Sequence, residues 1–318
     1  MKLRQLFISA ACCAAASLSG AAGAADVFVR VSTSSVGGGF YLIGNTIAQL
    51  GQSKMPGVNF TAITGGSIKN LMNLEKGDNE LGLTQSSTLA MGIAGTDNFK
   101  TPLKNVRYVT SIYPMPAHIL VSTSPAIKSV AELKGQHVDY GPVGGGIEVN
   151  VRELLSMYGM TAKDVQVERF GRAEFEEAYK TGRAQGTLWT TTLPNAQVSD
   201  LIRNKVARLI GMSGDELQKM LTRYPHYIST TIPAGTYDGQ TEDVRTFGAV
   251  GSLLTHKDVP EELIYNITKM LHENSDFLKE RLGTYFANFN LKFALEGMGK
   301  TELHPGAAKY YREKGLIK

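Results

Sequence analysis

The 318-residue sequence predicts an α/β fold of two lobes around a cleft, and three observations carry that expectation. Short apolar runs rich in Val, Ile, Tyr and Phe alternate with amphipathic helical patterns for most of the length, which is the mark of α/β layering with mainly parallel sheets. The alternation is interrupted once, at Tyr113-Pro114-Met115-Pro116-Ala117, and restarts at His118. Three Gly-rich segments each precede a helical pattern: Ser32 to Gly39, Thr64-Gly65-Gly66-Ser67, and Tyr140 to Gly146.

The first 25 residues read apart from the rest. Lys2 and Arg4 precede an apolar run from Leu6 to Leu18, followed by small residues from Gly20 to Ala25, the layout of a cleaved secretory leader. The run is shorter than the roughly 20 residues that a membrane span needs. Both cysteines, Cys12 and Cys13, fall inside it, so the mature chain is expected to carry no thiol, and acylation of one of them is a minor alternative. Loss of Lys2 and Arg4 takes the formal charge from +4 to about +2. No basic cluster points to nucleic acid.

From Asp26 onward the elements follow in order. Val27 to Val31 reads as a strand, and the glycine loop after it leads into a helix from Phe40 to Leu50. Phe60 to Ile63 and Leu81 to Thr84 are the next strands, separated by a helix from Ile68 to Lys76. Tyr108 to Tyr113 closes the first series. In the second, Ile119 to Ser122, Val138 to Tyr140, Val167 to Phe170 and Thr187 to Trp189 are strands, with helices from Ile147 to Tyr158 and Ala173 to Thr181. Near the end come a strand-like run from Thr246 to Thr255 and a helix from Pro260 to Asn274, which opens with Pro and two glutamates as helix starts prefer. The expected division is a leader at 1–25, one lobe from 26–117 and 230–318, and the other from 118–229. Such an arrangement faces the glycine loops across a crevice at strand ends, where α/β proteins bind ligands.

The chemistry of these loops is that of an anion cradle. Glycine allows close backbone approach, Ser and Thr add donors, and a helix start presents unpaired N–H groups with a favourable dipole. No Gly-Lys-Ser/Thr ending and no spaced dinucleotide fingerprint accompanies them, so nucleotide binding is disfavoured. Tyr41, in the first turn after the first loop, and Gln85, at a strand end, offer neutral hydrogen-bonding groups to the same edge. Trp189, the single tryptophan, is a candidate cleft wall beside Thr190-Thr191-Thr192. Arg169 and Arg172 are candidate partners for a carboxylate, and His118, beside the lobe crossing, is the histidine to test as a cleft residue. The six histidines show no metal-ligand spacing, and neither a nucleophile elbow nor a paired acid and base appears. The residues thus predict binding without catalysis, with no metal and no cofactor.

The chain resembles the TAXI-type solute receptors of tripartite ATP-independent periplasmic (TRAP) transporters. The matching stretches are Ser35-Val36-Gly37-Gly38-Gly39-Phe40-Tyr41-Leu42-Ile43-Gly44, Thr64 to Asn70, Leu81 to Ser86 and Ile127 to Gly135, then Tyr224-Pro225-His226-Tyr227, Ile232 to Tyr237 and His304 to Tyr311. The resemblance implies a type II periplasmic binding protein fold that closes on a small organic anion, with glutamate and 2-oxoglutarate as typical ligands. It also implies delivery to the permease subunits of an ion-driven transporter. Ligand positions carried over are Ser35, Gly38, Tyr41, Ser67, Gln85 and the loop at Gly144, Gly145 and Gly146. A periplasmic monomer is expected.

The sequence departs from the family pattern in its loops. Gly141-Pro142-Val143-Gly144-Gly145-Gly146-Ile147 lacks two hydroxyls of the usual second-lobe loop; Val36 and Gly39 stand where threonine is favoured, and Ser87 replaces a frequent aspartate. Fewer donors suit a less oxygenated guest, so the expected ligand is a carboxylate with a larger apolar part resting on Trp189. The alternatives are the receptor of an ABC transporter on the same fold and an exported two-lobed enzyme.

Overall fold

The computed structural model describes residues 27–124, 126–141, 146–171 and 174–318. The leader at 1–25, Gly144, Gly145 and Arg172 lie outside the described residues.

The described residues form ten strands and ten α-helices, which alternate for much of the chain before β9 and β10 follow one another and three helices close it. The strands are β1 (Val27–Ser32), β2 (Val58–Ile63), β3 (Leu81–Gln85), β4 (Val106–Ser122), β5 (His137–Asp139), β6 (Gln166–Glu168), β7 (Gly186–Thr190), β8 (Ala207–Ile210), β9 (Ile228–Ile232) and β10 (Val244–His256). The helices are α1 (Gly39–Lys54), α2 (Ser67–Lys76), α3 (Ser86–Ala94), α4 (Gly146–Met157), α5 (Phe175–Lys180), α6 (Ala196–Arg203), α7 (Gly214–Arg223), α8 (Glu261–Glu273), α9 (Ser275–Leu282) and α10 (Pro305–Glu313). No helix among the described residues is long and apolar enough to cross a membrane.

Strand order is β2-β1-β3-β10-β4-β7-β5-β6, with β8 beside β4 and β9 beside β10. β1 runs parallel to β2 and β3, and β5 runs parallel to β6 and β7. Every antiparallel pairing involves β4 or β10, so the sheets are mixed rather than mainly parallel. These two long strands are the crossings. β4 pairs with β10 as far as Pro116, then from Ala117 takes β7 and β8 as neighbours, which makes it a member of both halves. β10 begins beside β9, where Met212 N donates to Arg245 O at 2.9 Å, and ends beside β3.

The proline-bearing stretch at 113–117 therefore does not break the chain into two strands. Pro114 and Pro116 are two residues apart, so both missing N–H groups fall on one edge of the strand, and the register Pro114↔Val250, Pro116↔Gly248 is kept. Proline is tolerated at this point because the strand is changing partners.

Packing follows the helical and strand periods. α1 buries Phe40, Ile43, Ile47 and Leu50 on one stripe against β1 and β2, and β3 is buried along its whole length. The closing helices return to the first half: His304 N donates to Tyr108 O at 2.9 Å, and the Tyr311 hydroxyl to Val109 O at 2.8 Å. His272 on α8 lies half-buried between Phe289 and Tyr310, stacked on both rings. Burial lowers its pKa to about 4.

Candidate functional site

The first glycine loop is tied back to the helix that follows it. Ser34 Oγ accepts from Tyr41 N at 3.1 Å, which satisfies one of the free amides of the first turn of α1. Gly37 has φ +81°, and a Cβ on Gly38 would sit 2.3 Å from Ser34 Oγ, so the turn requires glycine at both positions.

Asn70 holds the second loop to the first. Its Nδ2 donates to Thr33 O and Leu83 O, both at 2.7 Å, while Oδ1 accepts from Gly66 N at 3.3 Å. One buried amide thus fixes the ends of β1 and β3 and the start of α2.

A cavity of about 410 Å³ opens between the halves. Ser35 and Val36 line it from the first loop, and Asp139, Ile147, Phe170, Trp189 and Thr190 line it from the other side. Val36 is 73% exposed at this mouth. Trp189 is 6% exposed and lies on Phe175, with ring centroids 4.1 Å apart and planes tilted by 31°. Its Nε1 is buried without a hydrogen-bond partner among the described residues.

Gln85 joins the halves from the end of β3. Its Oε1 accepts from Thr190 Oγ1 at 3.1 Å, and Thr190 Oγ1 in turn accepts from Asn150 Nδ2 at 2.8 Å. The Tyr227 hydroxyl lies 2.8 Å from Asn150 Oδ1 and beside the Glu153 carboxylate, which also meets His226 Nε2 at 3.1 Å. Gln85 is 4% exposed, and its Nε2, like Trp189 Nε1 and several buried hydroxyls, has no hydrogen-bond partner among the described residues. That nitrogen lies against the start of α4: a Cβ on Gly146 would come within 1.8 Å of it. Trp189 thus lines the cavity, and Gln85 packs behind its wall against Thr190 and the start of α4. Such donors suit an oxygen-bearing anion, which leaves them paired.

Asp139 introduces the opposite polarity. Its Oδ1 accepts from Gly141 N at 2.8 Å and Phe170 N at 3.0 Å. Burial raises its pKa, and the two amides and Arg169 pull the other way. Arg169 itself is committed to Glu148, through contacts of 2.8 and 3.2 Å, and reaches Gly141 O at 3.4 Å; the bond to Glu148 raises its pKa.

His118 does not line the cavity. It is fully buried, its Nδ1 facing Pro116 O and Trp189 O at 3.0 and 3.3 Å. Nε2 meets the Tyr237 hydroxyl at 2.7 Å, and that hydroxyl accepts from Asn195 N. Burial lowers the His118 pKa to about 4, and the neutral ring serves as a strut between β4 and β7.

Of the residues singled out from sequence, Ser35 and Trp189 line the cavity, and Gln85 touches Thr190 in its wall. Gly38 caps α1, Tyr41 is half-buried in its first turn, and Ser67 opens α2; these three are not among the lining residues. Sequence reasoning missed Asp139, Asn150 and Asn70. An acid on the last residue of a strand that runs into a glycine loop was the signal for Asp139. Among the described residues, no group of three or more His, Cys, Asp or Glu is placed to hold a metal ion.

Comparison with known proteins adds a family and a fold. A family model described as the NMT1-like family matches residues 31–315. Among solved structures, the chain is similar to MatC from Rhodopseudomonas palustris with bound malate, at 13% identity and TM-score 0.56, over 90% of this chain and 96% of that one. It is similar to the periplasmic binding protein BugD at 12% identity and TM-score 0.55, over 92% and 94% of the two chains. A putative sulfonate ABC transporter periplasmic binding protein, SsuA from Methylobacillus flagellatus KT, matches at 14% identity and TM-score 0.53, over 92% and 96%. At such identities the likeness is one of fold: two α/β lobes, as in periplasmic binding proteins.

Proposed function

The chain belongs to the NMT1-like family, and from that premise we propose that it is a periplasmic solute-binding protein of the TAXI type, which captures a small carboxylate between its lobes and delivers it to a TRAP permease. The observation that carries this reading is the pair of buried, unpartnered donors, Gln85 Nε2 and Trp189 Nε1, beside a cavity at the start of α4. A buried N–H without a partner costs about 1 to 3 kcal/mol, so a guest that supplies the acceptor stabilises the loaded form.

The lobes are proposed to divide at 117/118 and 229/230, close to where β4 changes neighbours and β9 gives way to β10. With two strands crossing among the described residues, β4 and β10, a hinge there lets Ser35 and Val36 approach Trp189 and Thr190 over a guest and exclude water. Closure shifts with ligand only by the guest's differential affinity for the closed form. The ordered motif matches from Ser35 to Tyr311 favour the TRAP assignment over an ABC receptor of the same fold. The preference for a less oxygenated acid is supported by Ile147, Phe170 and Val36 around the cavity.

Titration of the mature protein with a panel of organic acids tests the reading, with the melting temperature and the emission of Trp189 as signals. At least one acid is expected to raise the melting temperature saturably and to change the emission. A panel in which no acid stabilises the protein overturns it.

A further inference from the structure

We infer that Asp139 is a specificity-determining residue of the cleft, receiving the ammonium group of a zwitterionic amino carboxylate with an apolar body. This inference rests on the solute-binding reading above and narrows the class of its ligand.

The geometry divides the two oxygens of this carboxylate. Oδ1 takes both backbone amides, from Gly141 and Phe170, and Oδ2 has no partner among the described residues. Asp139 is 1% exposed, yet it lines the cavity, so the space beside it is the space a guest would fill. A carboxylate oxygen there calls for a donor from the guest.

Charge points the same way. Asp139 is the only titratable side chain among the described lining residues, and Arg169, whose charge acts on it, is bound to Glu148. A plain anion in this space would meet the Asp139 carboxylate with no cation among the described lining residues to offset it, and the repulsion grows as closure removes water. A zwitterion avoids that conflict. Its ammonium pairs with Asp139, and its carboxylate turns to Trp189 Nε1, Gln85 Nε2 and the start of α4, where unsatisfied donors lie. Ile147, Phe170 and Trp189 leave an apolar surface for the remainder of the molecule.

The test is a set of matched series in which one carbon skeleton, from four carbons to the phenylalanine skeleton, carries a 2-amino, 2-hydroxy, 2-oxo or N-acetylamino group. Calorimetry on the wild-type protein is expected to show the amino compound bound at least about tenfold more tightly than the other three on whichever skeleton binds best. Asp139→Asn keeps an acceptor for Gly141 N and Phe170 N and places a donor where Oδ2 was. It is expected to erase that preference or to turn it toward the 2-oxo compound.

Equal or tighter binding of the 2-oxo or N-acetyl compound by the wild type overturns the inference while leaving the solute-binding reading intact. So does an unchanged preference in a folded Asp139→Asn protein, or binding confined to acids outside these series. The wild-type comparison decides even where the variant does not fold. Failure of every acid to bind removes both readings together.

Discussion

Gln85 Oε1 accepts a hydrogen bond from Thr190 Oγ1 at 3.1 Å, and this contact ties the end of β3 to the end of β7 across the cleft. The bond also orients the amide. With Oε1 occupied by Thr190, the Nε2 donor is turned toward the start of α4, and Asn150 holds Thr190 in that role from behind. A contact between two halves has thereby fixed which end of the amide faces the helix start.

Thr190→Val tests the tie with a side chain of nearly the same shape and no hydroxyl. Asn150 Nδ2 and Gln85 Oε1 each lose a buried partner, which costs about 1 to 3 kcal/mol in urea denaturation. Ligand affinity, measured by calorimetry, is expected to fall as well, because the Gln85 amide is free to rotate. Unchanged stability and affinity would show that the bond does not form in solution.

Gly146→Ala separates binding from helix stability. Alanine is the better helix former by about 1 kcal/mol, yet its Cβ would lie 1.8 Å from Gln85 Nε2 and 2.4 Å from its Cδ. Gln85 must move and give up Thr190. The expected result is a loss of ligand affinity of about tenfold or more, while unfolding free energy changes by no more than about 1 to 2 kcal/mol, because the gain in helix preference offsets part of the lost bond to Thr190.

Asn70→Ala removes three hydrogen bonds at once, leaving Thr33 O, Leu83 O and Gly66 N to find other partners. A loss of roughly 2 to 4 kcal/mol is expected from chemical denaturation. Asn70→Asp is expected to be at least as damaging, since a carboxylate has no proton to give the two carbonyls.

Acid sensitivity follows from His118 and His272. Burial holds the pKa of each at about 4 in the folded protein, against 6.5 for the unfolded chain, so between those values the unfolded state binds more protons. Stability therefore rises with pH through this window, is fully present above 6.5, and is lost as pH falls through 4. Each histidine contributes on the order of 3 kcal/mol to the difference. Denaturation midpoints at a series of pH values check the slope, and His272→Phe is expected to flatten it.

Much of this architecture can be read from local pattern, and the remainder depends on distant pairing. Val27 to Ser32, Leu81 to Gln85 and Gly186 to Thr190 announce themselves as β-rich runs ending in hydroxyl or glycine segments. The continuity of β4 through Pro114 and Pro116 is hidden, because a proline argues against a strand unless its partner edge is known. The role of Thr190 is hidden for a different reason. Its hydroxyl matters because it meets Gln85, 105 residues earlier, and no local period carries that separation. Asn70 likewise reaches Thr33 from 37 residues away.

Trp189→Phe asks whether the indole N–H or only the ring serves the cleft. Phenylalanine keeps an aromatic face against Phe175 and removes Nε1, which is buried with no partner in the described structure. Two effects on stability oppose each other, since the smaller ring leaves space while the loss of an unpaired donor relieves a desolvation cost. The net change in unfolding free energy is expected to stay within about 1 kcal/mol. Binding has no such compensation: a donor to a carboxylate contributes about 1.5 to 3 kcal/mol, so affinity is expected to fall by about tenfold or more in calorimetry. The two readouts separate the roles, because a purely structural tryptophan lowers stability and leaves the affinity of the folded protein where it was. In the wild type, the single indole makes its emission report on this one position, and a guest bonded to Nε1 is expected to shift that emission in step with the calorimetric titration.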